Sequence, residues 1–348
     1  MNRSNLKRRA AAGANGTAVT LEMVAASARV SPSTVSRILN GTARVRESKA
    51  RAVNAAIAKL HFVPNPVARS LAGGKSRCVG VVTQSINSAY YGEAALAVEK
   101  GLLRANYSPL FVSGHWRQAD ERQCIDHLLG RRVEGIILLT SCLPDEELLR
   151  LSRGTPLVLT GRDVDADRIC CLDIDSMPAA RLSTDYLIGQ GHRRIAFIAG
   201  SSNHPDAIQR LHGYKAALAH HKIPFIKSLV AHGDYSEAGG YAAMIGLLDS
   251  GAEFTAVFAA NDQSAFGAML ALYRRDRKVP QDVSVIGFDD LPSSAFTIPP
   301  LTSLHRSIDK IGESAAQAMI DLIEGRVPVV RVASATLAIR ESTRPLHG

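Results

Sequence analysis

Polar and aromatic side chains follow most of the apolar runs in the larger, C-terminal part of the chain. Aspartate and asparagine offer hydrogen-bond acceptors, arginine offers a forked donor, and tyrosine offers an aromatic face, which together suit a ligand with neighbouring hydroxyl groups and an apolar ring face. If the apolar runs are parallel strands, their carboxyl ends share one edge of a sheet, and these side chains surround one crevice. The candidate ligand contacts are Asn87, Tyr90, Tyr91, Asp175, Asp206, Arg210, Tyr235, Asn261, Asp262 and Asp289.

Several of these residues also fit an ordinary structural role, which the sequence leaves open. Asn261 and Asp262 precede a helical pattern and can cap it. Arg210 can form a surface ion pair, and Asp289 can be a solvated turn residue. The position of Trp116, the only tryptophan, relative to the crevice is also open. The convergence of the candidates at strand ends, more than any one residue, predicts a pocket.

A second group of polar side chains lies near the start of the chain. Thr20 can cap a helix whose apolar residues recur at three- and four-residue spacing, and Ser31 followed by Pro32 starts a second helix after a short turn. Two short helices with a tight turn, the second carrying small polar groups and an arginine, are typical of a DNA-binding helix-turn-helix. A plain helical hairpin is the alternative. The candidate DNA contacts here are Thr20, Ser31, Pro32, Ser33, Thr34, Ser36, Arg37, Asn40 and Arg44.

The distribution of charge favours DNA binding over the plain hairpin. The formal net charge of the chain is +9, yet residues 1–77 carry 14 Lys and Arg against two acidic residues. Residues 78–348 are close to neutral. A basic segment on a near-neutral body is typical of a domain that binds a polyanion, because contacts to phosphates release counterions. We therefore expect double-stranded DNA as a partner.

The run VTLEMVAASARVSPSTVSRILNG, with VPNPVARSLAGG downstream, resembles the lactose-repressor/galactose-repressor (LacI/GalR) family of bacterial transcription regulators. The resemblance implies a hinge helix in which Arg69 and Leu71 contact DNA, with Leu71 inserted into the minor groove. It also implies a homodimer on a pseudo-palindromic operator, released by a small-molecule sugar effector such as galactose or a galactoside. Two positions depart from the family pattern. Arg29 stands where the turn usually has glycine and can need positive φ, and Met23 stands where an acidic residue is usual.

Apolar runs alternate with helical patterns from Cys78 onward, which predicts buried parallel strands in βαβ units. Two such series predict two lobes. The stretches ADERQCIDHLL, YLIGQGHRRIAFIAG and VPQDVSVIGFDDLP resemble the body of the same family, which has the fold of periplasmic sugar-binding proteins. The resemblance implies effector contacts at Tyr91, Asp175, Arg210, Tyr235, Asp262 and Asp289. The predicted fold is α/β: an all-helical N-terminal helix-turn-helix domain and a two-lobed, periplasmic-binding-protein-like body with parallel, doubly wound sheets.

The same patterns set the expected domain boundaries. We predict a disordered basic arm over 1–18, the helix-turn-helix domain over 19–63, the hinge helix and linker over 64–76, and an effector-binding and dimerisation domain over 77–346. Within the last of these, the N-lobe is expected over about 77–175 and 306–335, and the C-lobe over about 176–305 and 336–346.

Other classes of protein fit the sequence less well. An enzyme on a doubly wound fold is not supported, because the chain has no GxGxxG after a strand, no GxSxG and no metal triad, so no cofactor or metal is expected. A transport-type sugar-binding protein shares the body fold but not the basic head, and residues 1–18 lack the apolar core of a signal peptide. The five cysteines lack metal-ligand spacing and are expected to be free thiols in the cytoplasm. No apolar run is long enough to predict a membrane helix.

Overall fold

The computed structural model describes residues 19–40, 45–62, 75–172, 176–201, 204–330 and 334–346. Contacts divide the chain between Ser76 and Arg77 into a small N-terminal unit, the head, and a large unit, the body. Some predictions fall outside the described part. They are the arm over 1–18, most of the hinge, the side chain of Asn40, and the residues Arg44, Arg69, Leu71 and Asp175.

The head has three helices in its described residues: α1 (Leu21–Ala28), α2 (Pro32–Asn40) and α3 (Glu47–Leu60). Their apolar faces meet in a small core, where Val24, Val35 and Val53 are fully buried. Helices this short are marginal in isolation, so their stability depends on the shared core.

Capping groups define the turn between α1 and α2. Thr20 Oγ1 accepts a hydrogen bond from the backbone N–H three residues later (3.4 Å), and Ser31 Oγ accepts the equivalent bond at the start of α2 (3.3 Å). Arg29 ends α1 in the left-handed conformation (φ 52°), and the N–H of Val30 bonds to the carbonyl of Ala25. The positive φ considered for Arg29 is confirmed, and it occurs at the helix end where glycine is the usual residue.

The first lobe of the body is built on a parallel five-stranded sheet. Its strands are β1 (Cys78–Thr83), β2 (Ser108–Ser113), β3 (Ile136–Leu138), β4 (Leu157–Thr160) and β5 (Ile169–Leu172), in the spatial order β2-β1-β3-β4-β5. The helices between them are α4 (Ala89–Arg104), α5 (Gln118–Gly130) and α6 (Asp145–Ser152). Val81 and Val82 on β1 enter different apolar clusters. The sheet is therefore covered on both faces, as continuous apolar strands require.

The second lobe has a six-stranded sheet. Its strands are β6 (Ile195–Ala199), β7 (Val230–His232), β8 (Ala256–Ala259), β9 (Ser284–Asp289), β10 (Thr302–His305) and β11 (Thr336–Ala338). The spatial order is β11-β10-β9-β8-β6-β7, and only the β10–β11 pair is antiparallel. Its helices are α7 (Ser176–Gly189), α8 (Pro205–His220), α9 (Glu237–Asp249) and α10 (Asp262–Arg274), with 3₁₀ turns at Lys227–Leu229 and Pro292–Phe296.

Neither lobe is one continuous segment. A last helix, α11 (Ile308–Ile323), follows β10 of the second lobe, yet its Ile311 and Met319 enter the core of the first lobe, where the helix packs on α4. The chain then returns to the second sheet, with Leu337 of β11 opposite Leu304 of β10. The predicted two-lobed α/β fold is confirmed. No helix in the described residues has both the length and the apolar character needed to cross a membrane.

Glycines allow α9 and α10 to approach closely. A Cβ on Gly267 of α10 would lie 2.6 Å from the backbone nitrogen of Tyr241, and a Cβ on Gly240 of α9 would lie 2.5 Å from Cα of Ser264. Both distances are well inside van der Waals contact. The atoms that the added Cβ groups would meet belong to the backbone of a close-packed interior.

Gly267→Ala is expected to lower the free energy of unfolding by about 1–3 kcal/mol, because the added methyl group overpacks the α9–α10 contact. Gly246→Ala on α9 is the matched control, since a Cβ there meets nothing within 4 Å. Alanine is the better helix former, so the control should match or slightly exceed the wild type. Chemical and thermal unfolding measure both variants. Equal stability of the two would contradict the close contact.

Candidate functional site

A cavity of about 350 Å³ lies between the two lobes, at the carboxyl ends of their strands. The first lobe contributes residues that follow β1 and β2, and the second lobe contributes residues at or after the ends of β6, β7, β8 and β9. Of the predicted contacts, those that line it are Asn87, Tyr90, Tyr91, Asp206, Arg210, Tyr235, Asn261 and Asp289. The other lining residues are Ser85, Ser88, Trp116, His204, Asp234, Ser236, Glu237 and Gln263.

Arg210 lies in the lining of this cavity with its charge held by two carboxylates. Its Nη2 lies 3.6 Å from Oδ1 of Asp289 and 3.8 Å from Oδ2 of Asp206. Its Nη1 donates to the carbonyl of Ala260, and its guanidinium carbon lies 3.9 Å from the centre of the Phe288 ring. Only 4% of Arg210 is exposed. The ion pair is therefore internal, and the carboxylates offset the cost of burying the guanidinium.

Asp289 occupies a strained and strongly desolvated position. Its φ of 99° is one that residues with a Cβ rarely adopt. Burial raises the pKa of the Asp289 carboxyl to about 6, although the guanidinium groups of Arg210 and Arg306 favour its charged form. Asp289 Oδ1, Arg210 Nε and the hydroxyl of Tyr235 have no hydrogen-bond partner among the residues that the structure describes. Because buried polar groups are normally paired, the cluster around Arg210 has hydrogen-bonding capacity that the described residues leave unused.

Aromatic rings form one wall of the cavity and meet across the cleft. The ring centre of Trp116, from the first lobe, lies 4.1 Å from that of His204, from the second lobe, and 6.2 Å from that of Tyr91. Tyr235 contacts the same histidine, with ring centres 5.1 Å apart. Such faces can cover the apolar side of a ring-shaped ligand. The structure thus places Trp116, which the sequence left unassigned, at the cleft.

His204 links this wall to the start of α8. Its Nδ1 accepts a hydrogen bond from the N–H of Asp206 (3.3 Å) and so caps the helix. Burial lowers the pKa of His204 to about 4, so the ring is neutral at pH 7. An unprotonated Nδ1 is the form that this cap requires. Nothing in the sequence spacing distinguished this histidine from a surface one.

The start of α10 brings two amide side chains to the cavity. Asn261 caps the helix, since its Oδ1 accepts a hydrogen bond from the N–H of Ser264 (2.9 Å). Gln263 Oε1 accepts a hydrogen bond from the hydroxyl of Ser88 in the first lobe (3.0 Å), and its Nε2 donates to Glu237 Oε1 (3.0 Å). A polar chain therefore joins the lobes beside the cavity. Asn261 therefore caps α10 and also lines the cavity, and its contact with a ligand stays a prediction.

Asp262 is the predicted contact that the structure places elsewhere. It is fully buried and is not part of the lining. Its carboxylate accepts hydrogen bonds from the N–H of Leu291 (2.8 Å) and from the hydroxyls of Ser294 (2.6 Å) and Ser303 (2.5 Å). Successive residues of a helix point about 100° apart, so Asp262 turns into the lobe while its two neighbours face the cavity. The expected effector contact at Asp262 is corrected to a structural role.

In the head, the predicted DNA contacts lie on the outer surface of the helix-turn-helix. The side chains that are exposed or half-buried are Thr20, Ser31, Pro32, Ser33, Thr34, Ser36 and Arg37. Ser31 Oγ lies 2.9 Å from the hydroxyl oxygens of both Ser33 and Thr34. On the opposite face, Val35 is fully buried. The α2 surface therefore presents small hydroxyl groups and one guanidinium, which are groups that can contact phosphates and base edges.

No group of three or more His, Cys, Asp and Glu in the described residues could hold a metal ion. None of the five cysteines forms a disulfide. Burial, together with the carboxylate of Glu121, raises the pKa of Cys142 to about 12, so this thiol stays protonated and unreactive at neutral pH.

Known proteins resemble both units of the chain. Residues 20–65 match the family of bacterial regulatory proteins, lacI family, and residues 184–343 match the periplasmic binding protein-like domain. The HTH-type transcriptional regulator CelR of Thermobifida fusca is 35% identical over 333 residues, which cover 93% of this chain and 98% of CelR. The chain belongs to the lacI family. GalR of Escherichia coli (strain K12) is 35% identical over 326 residues, which cover 93% of this chain and 95% of GalR.

Solved structures of lacI-family proteins have the same architecture. The lac repressor dimer bound to operator and the anti-inducer ONPF matches with a TM-score of 0.84 at 30% identity, covering 94% of this chain and 99% of that one. A CelR–cellobiose complex matches with a TM-score of 0.70 at 33% identity, covering 93% and 99%. The predicted family is confirmed. As a member of the lacI family, the protein is a transcription regulator and not an enzyme.

His204→Asn should make the stability of this lacI-family body less sensitive to acid. In the wild type, the unfolded histidine takes up a proton near pH 6.5, whereas the folded ring stays neutral until about pH 4. The stability that the neutral ring contributes is therefore present above pH 6.5 and is lost as the pH falls towards 4. Asparagine can cap the helix but does not titrate.

Melting temperatures at pH 7 and pH 5 test this expectation. The fall in melting temperature from pH 7 to pH 5 should be larger for the wild type than for His204→Asn. An equal loss in both proteins would contradict a neutral, buried His204.

Proposed function

We propose that the protein is an operator-binding repressor, acting in the cytoplasm, whose affinity for DNA is controlled by a small neutral sugar bound between the lobes. The observation that carries the sugar assignment is the buried Arg210–Asp289 pair in the cavity lining, where Arg210 Nε and Asp289 Oδ1 make no hydrogen bond to the described residues. A guanidinium beside a carboxylate offers donors and acceptors to neighbouring hydroxyl groups. The resulting hydrogen bonds are charge-assisted and stronger than neutral ones.

The charges in the lining favour a neutral ligand over an anionic one. Four carboxylates line the cavity against the single guanidinium of Arg210: Asp206, Asp234, Glu237 and Asp289. A phosphorylated sugar would add negative charge to this setting, where Coulomb repulsion is poorly screened. Sugar hydroxyls can instead donate to the carboxylates. A relative supports the same class of ligand, since CelR has been solved with cellobiose.

In this proposal α2 is the recognition helix. Its outer face carries Arg37 and several hydroxyl groups, and the opposite face is anchored by Val35 in the head core. The lac repressor, which matches 94% of this chain, has been solved as a dimer on its operator. A dimer places two such helices in successive major grooves, which explains why its operator would be pseudo-palindromic.

Exposed apolar side chains on the body support the homodimer. Leu270 and Tyr273, one turn apart on α10, are 45% and 77% exposed, and Phe296 and Ile298, which follow β9, are 85% and 96% exposed. Exposed apolar groups of this size mark interaction surfaces. We assign these residues to the contact between two copies of the chain, and light scattering of the full chain measures the resulting mass.

The lobes provide the coupling between sugar and operator. A sugar that contacts both lobes stabilises one spacing between them, and in a dimer this spacing determines how the two heads reach DNA. The coupling is reciprocal, so operator must change sugar affinity by the same factor. We propose that sugar lowers operator affinity. A corepressor would raise it, and a transport-type sugar-binding protein would bind no operator, so operator titrations with and without sugar separate the three.

Arg37→Ala should weaken operator binding by about 1–3 kcal/mol, because it removes a contact to a base edge or phosphate. Lys59→Ala is the matched control for loss of one charge, because Lys59 is also exposed and lies in the last turn of α3. Gel-shift titrations at fixed salt compare the two. Equal affinity of both variants would remove Arg37 from the recognition surface, and sugar binding should be unchanged in each.

Asp289→Asn should weaken sugar binding by about 1.5–3 kcal/mol, roughly ten- to a hundredfold, because a charge-assisted hydrogen bond is lost. Asp290→Asn is the matched control, since Asp290 pairs with Arg340 (2.7 Å) and His305 (2.9 Å) and does not line the cavity. Operator binding without sugar should persist in both variants. Calorimetry with galactose and related sugars provides the comparison, and normal sugar affinity of Asp289→Asn would refute the assigned pocket.

A further inference from the structure

Trp116 separates the sugar cavity from a second pocket between the lobes. This neighbouring pocket has a volume of about 620 Å³, and Trp116 is part of the lining of both. The first lobe contributes Ser141 and Arg162 to it, and α8 of the second lobe contributes Gln209. The lining of the second pocket is therefore partly polar, as that of the first is.

The backbone at Trp116 is held firmly in place. Its N–H donates to Oε1 of Gln84 (2.9 Å), and Gln84 is fully buried. Nε2 of Gln84 donates in turn to the carbonyl of Thr140 (3.0 Å) and to the carboxylate of Glu121 (3.2 Å). His115 and Trp116 are successive residues with positive φ, 52° and 58°. Such a conformation persists only where the surroundings enforce it, so the buried network positions the backbone from which the indole projects.

The second lobe completes the barrier. The ring of His204 lies 4.1 Å from that of Trp116, which is direct contact across the cleft. His204 is itself fixed, because its Nδ1 caps α8 and Tyr235 contacts its other side. The two cavities thus meet at an aromatic contact whose two halves are each anchored in their own lobe.

We propose that Trp116 limits the effector to a single sugar ring. This inference rests on the proposed sugar-binding function. One ring can lie against Arg210 and Asp289 with its apolar face towards the aromatic wall. A second ring that extends from the first on the side of Trp116 would have to replace the Trp116–His204 contact to reach the neighbouring pocket. Ser141, Arg162 and Gln209 make the lining of the neighbouring pocket partly polar, so we assign the exclusion of a disaccharide to the barrier and not to an apolar lining.

Titration calorimetry on the full-length protein tests the proposal. The ligands are galactose, glucose and ribose, and the disaccharides lactose, melibiose and cellobiose. The wild type should bind one monosaccharide at least about 100-fold more tightly than any disaccharide that contains it. Trp116→Ala should narrow this ratio at least about tenfold by gaining disaccharide affinity, because the two cavities become continuous. Trp116→Phe retains an aromatic ring, so its ratio of monosaccharide to disaccharide affinity should stay close to that of the wild type.

A gain in disaccharide affinity is the decisive readout, since loss of an aromatic contact alone can only weaken binding. Trp116→Leu carries the same expectation should the alanine variant be unstable. Variants that fold and bind operator normally but gain no disaccharide affinity overturn the inference. A wild type that binds a disaccharide as tightly as a monosaccharide also overturns it. In both cases the proposal that a sugar controls operator binding stands. A wild type that binds none of the six sugars overturns the proposed sugar function as well.

Discussion

The cavity between the lobes depends on the pairing of a buried arginine with two carboxylates. Arg210 is almost fully excluded from solvent, and its charge is tolerated because Asp206, Asp289 and the ring of Phe288 surround it. Removing one carboxylate from such a cluster leaves a buried charge uncompensated, which costs more than the pair itself contributes. The need to keep this cluster intact ties α8 to the end of β9. The polar groups of the cavity are therefore arranged before any ligand binds.

The backbone of the cavity walls is also constrained. Trp116, Tyr235 and Asp289 all line the cavity with positive φ (58°, 70° and 99°), although none is glycine. Each strained residue needs surrounding contacts to hold it, and for Trp116 these come from the buried amide of Gln84. Backbone positions that are held in this way reduce the ordering needed when a ligand binds.

The sequence predicted what local patterns encode. Long apolar runs such as 78–84 and 194–199 correspond to β1 and β6, and polar residues after them line the cavity. Three strands of the second lobe, β7, β10 and β11, were not predicted, because their sequences VAH, TSLH and TLA contain no continuous apolar run. Asp262 was predicted to line the cavity but does not, because the direction of its side chain depends on the exact residue at which α10 begins. Gln263 was missed because its partner Ser88 lies 175 residues away and in the other lobe.

The return of the chain between lobes has a consequence for synthesis on the ribosome. The head core closes once residue 62 has been made. The first lobe, by contrast, lacks part of its core until α11 has been translated, and the second sheet lacks its edge strand until β11 follows. Domains fold as their segments emerge, so the DNA-binding part of a nascent chain forms early. The two lobes that enclose the cavity are complete only after α11 and β11 have been made.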